Sequence, residues 1–253
     1  MKKLTLNNQP TSLILGQTEV YVCETQNIWS WHRVSDVVEG IELRLSNMAG
    51  GFPFEAAGRT WPTSEQLYLA GEFTNPSIQQ ELLEAKSGYA AKRFIKAKYK
   101  KVVREDFTTF RLQWMLWVVW QKCKGNEAFR KLLLSVPDDA VLVEDTTTDN
   151  QGTAEIWGAS NPIQREAKAA AREAYTQLIG HRFRSKKEAE AKIEALAIQD
   201  TRHIGKFVGQ NNIGKILMIC RQCLIEGTEP TIDYILLNQS KITIFGQVLT
   251  FSE

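Results

Sequence analysis

Apolar residues recur at helical spacing through most of the middle of the chain. The segment after Pro62 predicts a short helix with one buried face, and Asn75 begins a second amphipathic segment. Residues Asp106 to Lys124 are apolar around much of the helical circumference and include three tryptophans. We expect this helix at the centre of the fold, with its tryptophans in packing. A platform on which bases stack is the alternative.

Short alternating segments near the two ends of the chain predict β-strands. Val20–Cys23 and Ile41–Leu45 are rich in strand-forming residues, and Ala140–Glu144 resembles a buried strand that ends in acidic residues. The tail from Ile232 to Phe251 alternates well enough for two strands that turn near Asn238. Together with the helices, these segments predict an α+β fold that is mostly helical, with short strands.

Residues 162–200 differ in composition from the rest of the chain. They are rich in Ala, Lys, Arg and Glu, which favour helix. Ser185 and Glu188 form a capping box that opens a second helix, and Gly180 marks the break between the two. We therefore predict a helical hairpin here.

The composition predicts a globular chain without a membrane segment. Hydrophobic residues make up 43% of the 253 residues and charged residues 24%, as in a folded domain. No run of about 18 apolar residues is present. The polar residues Asn7 and Asn8 lie where a signal peptide would have its apolar core. Four cysteines without a disulfide pattern indicate a reducing compartment, so we expect a cytoplasmic location.

Two of the cysteines are spaced like ligands. Cys220 and Cys223 have the separation of half a zinc site or of a redox pair. They fall on an apolar helical segment, and no second pair or histidine cluster lies near them in the sequence. We therefore expect cysteines packed in the core and no metal.

One basic segment stands out against a nearly neutral chain. The formal net charge of +2 is too small to imply nucleic-acid binding by itself. The segment from Lys92 to Arg104, however, is dense in lysine and arginine, which is typical of a surface that attracts phosphate. A solvated helix face is the structural alternative.

Two carboxylates are placed where a reaction could use them. Glu65 falls in the first turn of the first predicted helix, where Thr63 or Ser64 can cap the free N–H groups. The helix dipole favours the Glu65 anion there, although a surface capping acid has the same signature. Asp149 comes after the predicted strand that ends at Glu144, which places Asp149 in a loop.

Four sequence blocks, taken in order, resemble a known family. They are Leu45-Ser46-Asn47-Met48; Trp61-Pro62-Thr63-Ser64-Glu65; Leu142-Val143-Glu144-Asp145 with Asp149 and Trp157-Gly158; and Gly209-Gln210-Asn211-Asn212-Ile213-Gly214 with Leu217-Met218 and Arg221. The family pattern is serine–asparagine, W-P-T-x-E, L-V-E followed by D and W-G, and G-x-N-x-x-G-x-x-L-M-x-x-R. The chain thus resembles the NADAR family, named for NAD and ADP-ribose association, over most of its length.

The resemblance implies hydrolysis of an N-glycosidic bond between a ribose and a base. The family acts on two substrate classes: an ADP-ribose attached to guanine in DNA or RNA, and a phosphoribosylamino-pyrimidine of riboflavin biosynthesis. The implied partner is an ADP-ribose-containing or phosphoribosyl ligand, with nucleic acid as one carrier and without a membrane. The reaction needs no metal, and no cofactor is expected. The basic segment Lys92–Arg104 favours the ADP-ribosyl nucleic-acid substrate over the riboflavin intermediate.

The resemblance also points to a pair of catalytic carboxylates. The transition state is similar to an oxocarbenium ion, which a nearby carboxylate stabilises while a second acid–base group assists water or the leaving base. We assign Glu65 as the main catalytic carboxylate and Asp149 as an orienting or acid–base partner at the rim of an apolar pocket. The reverse assignment stays open.

Eight further residues are candidates for binding the ligand. They are Ser46, Asn47, Arg59, Trp61, Trp157, Gly158, Asn211 and Gly214. Trp157 would stack on the base or sugar, and the asparagine amides would bind ribose hydroxyls or the base. The glycines would allow close backbone approach, and the N–H groups before the last helix would cradle a phosphate. A core tryptophan and asparagines in turns or caps are the structural alternatives.

Three positions depart from the family pattern: Gln66 replaces a histidine, Glu72 a lysine and Phe107 a tryptophan. The reversed charge at Glu72 is the most serious change, and Arg59 is the candidate for supplying the missing cation. These departures leave two other functional classes open beside the favoured hydrolase. One is a non-catalytic sensor of ADP-ribose or NAD, and the other is an interaction module that uses the 162–200 hairpin.

The same resemblance sets the predicted domain boundaries. In the family, the W-G segment is followed much sooner by the last block, so residues 162–200 are interpreted as an insertion. This insertion would serve as a lid, a partner surface or padding. We predict a single NADAR-like domain over residues 1–253, with residues 228–253 as a C-terminal strand extension.

Overall fold

The computed structural model describes residues 4–6, 9–11, 13–149 and 152–252. Asn7 and Asn8, on which the prediction about a signal peptide rests, lie outside these residues. Among the described residues, none of the helices has both the length and the apolar character of a membrane span.

Among the described residues, eight short strands precede the first helix, and the remaining strands lie between or after the helices. The strands are β1 (Leu4–Leu6), β2 (Gln9–Thr11), β3 (Glu19–Val22), β4 (Ile28–Trp31), β5 (Val37–Val38), β6 (Ile41–Glu42), β7 (Phe54–Ala56), β8 (Arg59–Trp61), β9 (Val141–Glu144), β10 (Lys206–Gly209), β11 (Thr243–Ile244) and β12 (Gln247–Val248). The helices are α1 (Ser64–Ala70), α2 (Pro76–Leu83), α3 (Gly88–Ala90), a π-helix (Ala91–Lys96), a 3-10 turn (Lys100–Val102), α4 (Phe107–Gly125), α5 (Glu127–Ser135), α6 (Ala154–Trp157), α7 (Pro162–Ile179), a second 3-10 turn (Gly180–Arg182), α8 (Lys186–Thr201), α9 (Asn212–Glu226) and α10 (Tyr234–Gln239). This confirms the predicted α+β class.

The chain divides into two compact units, each built from two separate stretches of sequence. The first unit combines residues 1–44 with residues 136–218, and the second combines residues 45–135 with residues 219–253. The single domain over residues 1–253, with its insertion and its extension, stays a prediction.

The first unit contains a parallel pair of strands, β4 and β9. Ile28 lies opposite Val141, and Trp31 lies opposite Glu144. Residues 141–143 of β9 are fully buried, as expected for an apolar run in a parallel pair. A parallel connection needs a long crossover, and here more than a hundred residues, including the whole first stretch of the second unit, separate the two strands. β3 pairs separately with β10 in antiparallel register.

The first unit also holds the predicted helical hairpin, formed by α7 and α8. The Asn161 side chain caps α7 by accepting a hydrogen bond from the Gln164 N–H at 3.0 Å. Ser185 caps α8 in the same way, through the Glu188 N–H at 3.1 Å. Arg172 of α7 and Glu194 of α8 then form an ion pair at 2.9 Å. The composition thus predicted both helices, and the Ser185 capping box predicted the start of the second one.

The second unit is organised around α4. Trp114 is fully buried, and its indole N–H donates to the Tyr68 carbonyl at 3.1 Å. A Cβ added at Gly71 would overlap the same indole, so this glycine allows α1 and α4 to pack closely. Trp117 stacks on Trp114 with ring centroids 5.0 Å apart. The Trp114 and Trp117 rings therefore serve packing within this unit.

The tail of the second unit differs from the prediction of two strands that turn near Asn238. Residues 234–239 form α10, because the Asp233 carboxylate caps it by accepting from the Leu236 N–H at 2.8 Å. The Asn238 side chain then bonds both the N–H and the C=O of Phe251, at 2.9 Å each. The strand prediction is wrong for this half of the tail because a local cap outweighed the alternating pattern.

Two tight turns decide where the shortest strands lie. Phe245 and Gly246, with φ of 49° and 79°, connect β11 to β12, and Glu39 and Gly40, with φ of 49° and 83°, connect β5 to β6. Positive φ at both central residues matches the right-handed twist of a hairpin. The predicted strand Ile41–Leu45 is paired only over its first two residues, because the turn sets a two-residue register with β5.

Candidate active site

The start of α1 is built by one cap and one loop. Thr63 is the N-cap, with extended backbone (φ −146°) and its hydroxyl oxygen accepting from the Gln66 N–H at 3.2 Å. The Glu65 N–H donates to the Asn47 carbonyl at 3.1 Å. Pro62 directly precedes the cap, so the helix begins after it as predicted. The loop at Asn47 and the first turn of α1 are held together at Glu65.

Glu65 is buried at this helix start. Its side chain is only 6% exposed, which excludes the alternative of a surface capping acid. A Cβ added at Gly88 would lie 3.1 Å from the Glu65 Cβ and 2.9 Å from the Met48 Cα, so α3 begins directly against it. Within the described part of the chain, no hydrogen bond to the Glu65 carboxylate is found. A buried carboxylate left in this state is what a substrate or a water molecule would complete.

The electrostatic surroundings of Glu65 are mixed. Burial raises the pKa of Glu65, while the positive charges of Lys92 and Lys96 lower it in part. Both lysines lie on the π-helix, four residues apart and thus close to one turn from each other. π-Helical segments frequently occur at functional sites, since they redirect side chains that an α-helix would spread around its surface.

Glu72 brings a second buried carboxylate near Glu65. It lies two residues beyond the end of α1, and the negative charge of Glu65 is one of the causes that raise the pKa of Glu72. Glu72 is 1% exposed, and its Oε1 pairs with the Lys96 Nζ at 2.6 Å. Its Oε2 is buried without a hydrogen-bond partner. Burial raises the pKa of Glu72, and Lys96 opposes that effect.

Gln66, which replaces the family histidine, has a scaffold role. Its amide nitrogen donates to the carbonyls of Leu82, Leu83 and Ala85 at 2.9, 3.0 and 3.1 Å. These carbonyls lie at the end of α2, where helices leave acceptors without internal partners. The Gln66 side chain therefore joins α1 to the end of α2.

The other predicted residues of the second unit divide between loop, core and surface. Asn47 is buried, and its amide nitrogen contacts the Met115 sulfur at 3.1 Å, while the Ser46 hydroxyl accepts from the Met48 N–H at 3.3 Å. Trp61 is fully buried, and its indole N–H donates to a backbone carbonyl of its own hairpin at 2.9 Å. Arg59 is exposed and lies 5.0 Å from the Phe245 ring.

Within the second unit, the structure thus brings Ser46 and Asn47 close to Glu65 along the chain that precedes α1. It pairs Glu72 with Lys96 and places Arg59 against Phe245. The cation paired with Glu72 is Lys96. That Arg59 replaces the family lysine at the ligand stays a prediction. The four-residue spacing of Lys92 and Lys96 is a signal that could have identified both lysines as neighbours of Glu65. They were instead interpreted only as part of a basic surface.

Three predicted residues of the first unit lie on segments that pack against the edge of strand β9. Asn211, at φ 49°, donates its amide to the Leu142 carbonyl at 2.8 Å and accepts from the Glu144 N–H at 3.1 Å. A Cβ at Gly214 would overlap the Leu142 carbonyl oxygen, and one at Gly158 would overlap that of Glu144. These three residues fasten the start of α9 and the segment after α6 to the edge of β9.

Asp149 and Trp157 lie in the segment that follows β9. Asp149 lies, as predicted, in the loop after β9, where it is exposed and its N–H donates to the Thr146 carbonyl at 2.9 Å. Trp157 ends α6 and is half-buried. Glu65 and Asp149 belong to different units, so their pairing stays a prediction. A cavity of about 530 Å³ in the first unit, between α8 and the β5–β6 hairpin, is lined by none of the predicted residues.

The cysteine pair has the environment expected for packing. Cys220 is fully buried and Cys223 nearly so, both on α9. Burial raises the pKa of the Cys220 thiol, and the neighbouring Cys123 raises it further, which keeps the thiol protonated and unreactive. Among the described residues, no group of three or more His, Cys, Asp or Glu side chains is arranged to hold a metal ion.

Known proteins resemble this chain in sequence and in fold. The NADAR domain model matches residues 30–225. The N-glycosidase YbiA of Escherichia coli (strain K12) and that of Shigella boydii serotype 4 (strain Sb227) are each 31% identical to the chain over 105 residues. These residues are 42% of this chain and 64% of each relative, so the match spans less than two thirds of those proteins.

The fold has a solved counterpart. An NMR structure of the E. coli protein YbiA matches with a TM-score of 0.50 and 24% identity, over 80% of this chain and 88% of that one. The likeness agrees with the α+β architecture described above. Because the family model covers the greater part of the sequence, this chain belongs to the NADAR domain family.

Proposed function

We propose that this protein is an N-glycosidase that hydrolyses the bond between a ribose and a base, and that it removes ADP-ribose from guanine in nucleic acid. The observation that carries the proposal is Glu65, a buried carboxylate at a helix start without a hydrogen bond from any other described residue. Its place in the W-P-T-x-E block and the name of the N-glycosidase relatives support the same reaction.

The reaction would proceed through a positively charged sugar. The C1–N bond breaks with its electron pair moving to the base, which takes up a proton, and a water molecule adds its oxygen to C1 and loses a proton. Glu65 would stabilise the developing charge or accept the proton of the water. A carboxyl whose pKa burial raises toward neutral pH is better matched to proton transfer than an ordinary one.

The nucleic-acid part of the proposal rests on the basic segment Lys92–Arg104. Lys98 pairs with Glu81 at 2.9 Å, and Arg104 pairs with Asp106 at 2.7 Å, so part of its charge is neutralised locally. Arg93, Lys100 and Lys101 remain exposed on the same segment. These three side chains offer the positive charge that a phosphate backbone attracts.

The direct test is release of ADP-ribose from an ADP-ribosyl-guanine oligonucleotide, followed by chromatography. We expect release by the wild type and a loss on the order of a thousandfold in Glu65→Gln. Glu81→Gln is the control, because it removes a partly exposed carboxylate that lies outside the proposed site and pairs with Lys98. Equal release by wild type and Glu65→Gln would contradict the assignment of Glu65.

The same assay separates the alternatives. Cleavage of a phosphoribosylamino-pyrimidine, without release from the oligonucleotide, would transfer the proposal to the riboflavin intermediate. Saturable binding of ADP-ribose without cleavage of either substrate would indicate a sensor of ADP-ribose or NAD. Glu72 is the reason to test the sensor, because it reverses the charge of the lysine in the family pattern.

A further inference from the structure

Two aromatic side chains lie exposed on the segment that borders Glu65. Tyr89 of α3 is 50% exposed, and Phe94 of the π-helix is 61% exposed. In the same unit, Trp114 and Phe110 are fully buried, as large aromatic side chains of a core are. Exposed apolar surface of this size on neighbouring residues marks a place where something else binds.

The two rings lie around one arginine. The Arg93 guanidinium carbon is 5.6 Å from the centroid of the Tyr89 ring and 5.9 Å from that of the Phe94 ring. Arg93 also donates a hydrogen bond to the Tyr89 hydroxyl, and its own side chain is exposed. Tyr89, Arg93 and Phe94, which we call the aromatic cluster, therefore present two rings and a positive charge to solvent at one place.

The aromatic cluster lies beside the proposed catalytic carboxylate. Gly88, directly before Tyr89, is so close to Glu65 that an added Cβ would lie 3.1 Å from the Glu65 Cβ. The π-helix that carries the rest of the cluster also carries Lys92 and Lys96, whose positive charges act on the Glu65 carboxyl. One short segment thus borders Glu65 and bears the exposed rings.

The combination of rings and cations matches the chemistry of single-stranded nucleic acid. Unpaired bases have flat faces that stack on aromatic side chains, and their phosphates attract cations. In a duplex, neighbouring base pairs cover those faces, so exposed rings gain little from it. A protein surface would also cover the rings, but the exposed Lys100 and Lys101 that follow on the same segment favour a polyanion.

We propose that Tyr89 and Phe94 stack on unpaired bases next to the modified nucleotide, while Arg93 contacts their phosphates, so that the protein prefers single-stranded nucleic acid. The inference rests on the proposed function, because it takes a nucleotide held at Glu65 as the centre of the bound strand. It assigns binding and positioning of the strand to the aromatic cluster and leaves the chemistry to Glu65.

Fluorescence anisotropy with unmodified, labelled DNA measures this binding without any turnover. The probe is a single strand of about ten nucleotides, compared with the same strand paired to its complement. We expect the wild type to bind the single strand about tenfold more tightly than the duplex. Phe94→Leu keeps an apolar side chain without a ring and should weaken single-strand binding about tenfold, whereas Phe94→Trp should preserve it.

Two further variants separate stacking from other effects. Ile235→Ala is the matched control, because it removes an exposed apolar side chain of the same unit that lies on α10, and its affinity for DNA should equal that of the wild type. Lys100→Gln should lower the dependence of affinity on salt, since one phosphate contact is lost. Phe94→Leu should leave the salt dependence unchanged, because stacking releases no counterions.

Three outcomes would overturn the inference: equal affinity for single strand and duplex, an unchanged single-strand affinity in Phe94→Leu, or no binding of either DNA. A change of oligomeric state in Phe94→Leu, measured by analytical ultracentrifugation, would overturn it in favour of a protein contact. Failure of the proposed function is distinguishable, because ADP-ribose release by the wild type would then be absent while the preference for single strands persists.

Discussion

The start of α1 and the edge of β9 both carry blocks of the family pattern, but their polar groups are in opposite states. At α1, Glu65 is buried at the helix start, and Oε2 of Glu72 is buried without a hydrogen bond from any other described residue. At β9, Asn211 uses both ends of its amide on backbone groups. Unpaired buried groups reduce stability and are ready for a ligand, whereas paired ones stabilise the scaffold. Membership of a motif therefore does not by itself make a residue part of the chemistry.

Substitution at Gly214 is the most severe test of the scaffold region. In Gly214→Ala, the new methyl would overlap the Leu142 carbonyl oxygen and contact the Asn211 amide, and backbone cannot move as a flexible side chain does. We expect the free energy of unfolding to fall by about 3 kcal/mol, measured by urea denaturation. Gly180→Ala is the control, because its Cβ meets only ordinary contacts at a helix end. Equal stability of the two variants would mean that α9 does not approach β9 closely.

Replacing Asn211 tests how much the hydrogen bonds at the edge of β9 contribute to stability. Asn211→Ala leaves the Leu142 carbonyl and the Glu144 N–H unpaired in the interior and puts an alanine at φ 49°. The expected loss of stability is about 2 kcal/mol. Asn238→Ala removes a pair of bonds of the same kind to Phe251 at an exposed position, where water can replace them, so its loss is expected to be smaller. If both variants lose the same amount, burial is not what gives Asn211 its importance.

In the α1 region, a substitution that removes the buried charge is expected to raise the stability of the protein rather than lower it, and by a smaller amount. Burial raises the pKa of Glu65 above its ordinary 4.5, so the folded protein binds more protons than the unfolded chain between that value and the raised one. Stability is therefore lost as pH rises through this window. Glu65→Gln removes the loss, and its melting temperature should match the wild type near pH 4 and exceed it at pH 7.

Melting curves of wild type and Glu65→Gln across pH 4 to 8 measure that difference, with Glu81→Gln as an exposed control. A Glu65→Gln variant that is less stable than the wild type at pH 7 would show that the carboxylate is satisfied after all. In that case the contrast between the α1 and β9 regions would disappear. Loss of activity together with a gain of stability would instead place Glu65 among residues kept for function at the expense of stability.

Local signals predicted most of the elements and the burial of several key residues. Three predicted helix starts, at Thr63, Asn75 and Ser185, lie within one or two residues of the observed ones. The range 162–200, set by composition, ends equally close to the end of α8. The tail was mistaken for strands because an alternating pattern and a capped short helix are hard to separate over six residues. The Asp233 cap decides between them.

The sequence by itself determined the family, the α+β class and the presence of Glu65 in the first turn of a helix, because caps, periodicity and motif order depend on residues close together in the chain. Only the tertiary structure decided that Glu65 is buried, that Lys96 pairs with Glu72, and that Asn211 belongs to the scaffold. The Lys96–Glu72 and Asn211–Leu142 bonds join residues that are 24 and 69 positions apart in the chain. Packing and desolvation bring such partners together, and neither is encoded in local periodicity.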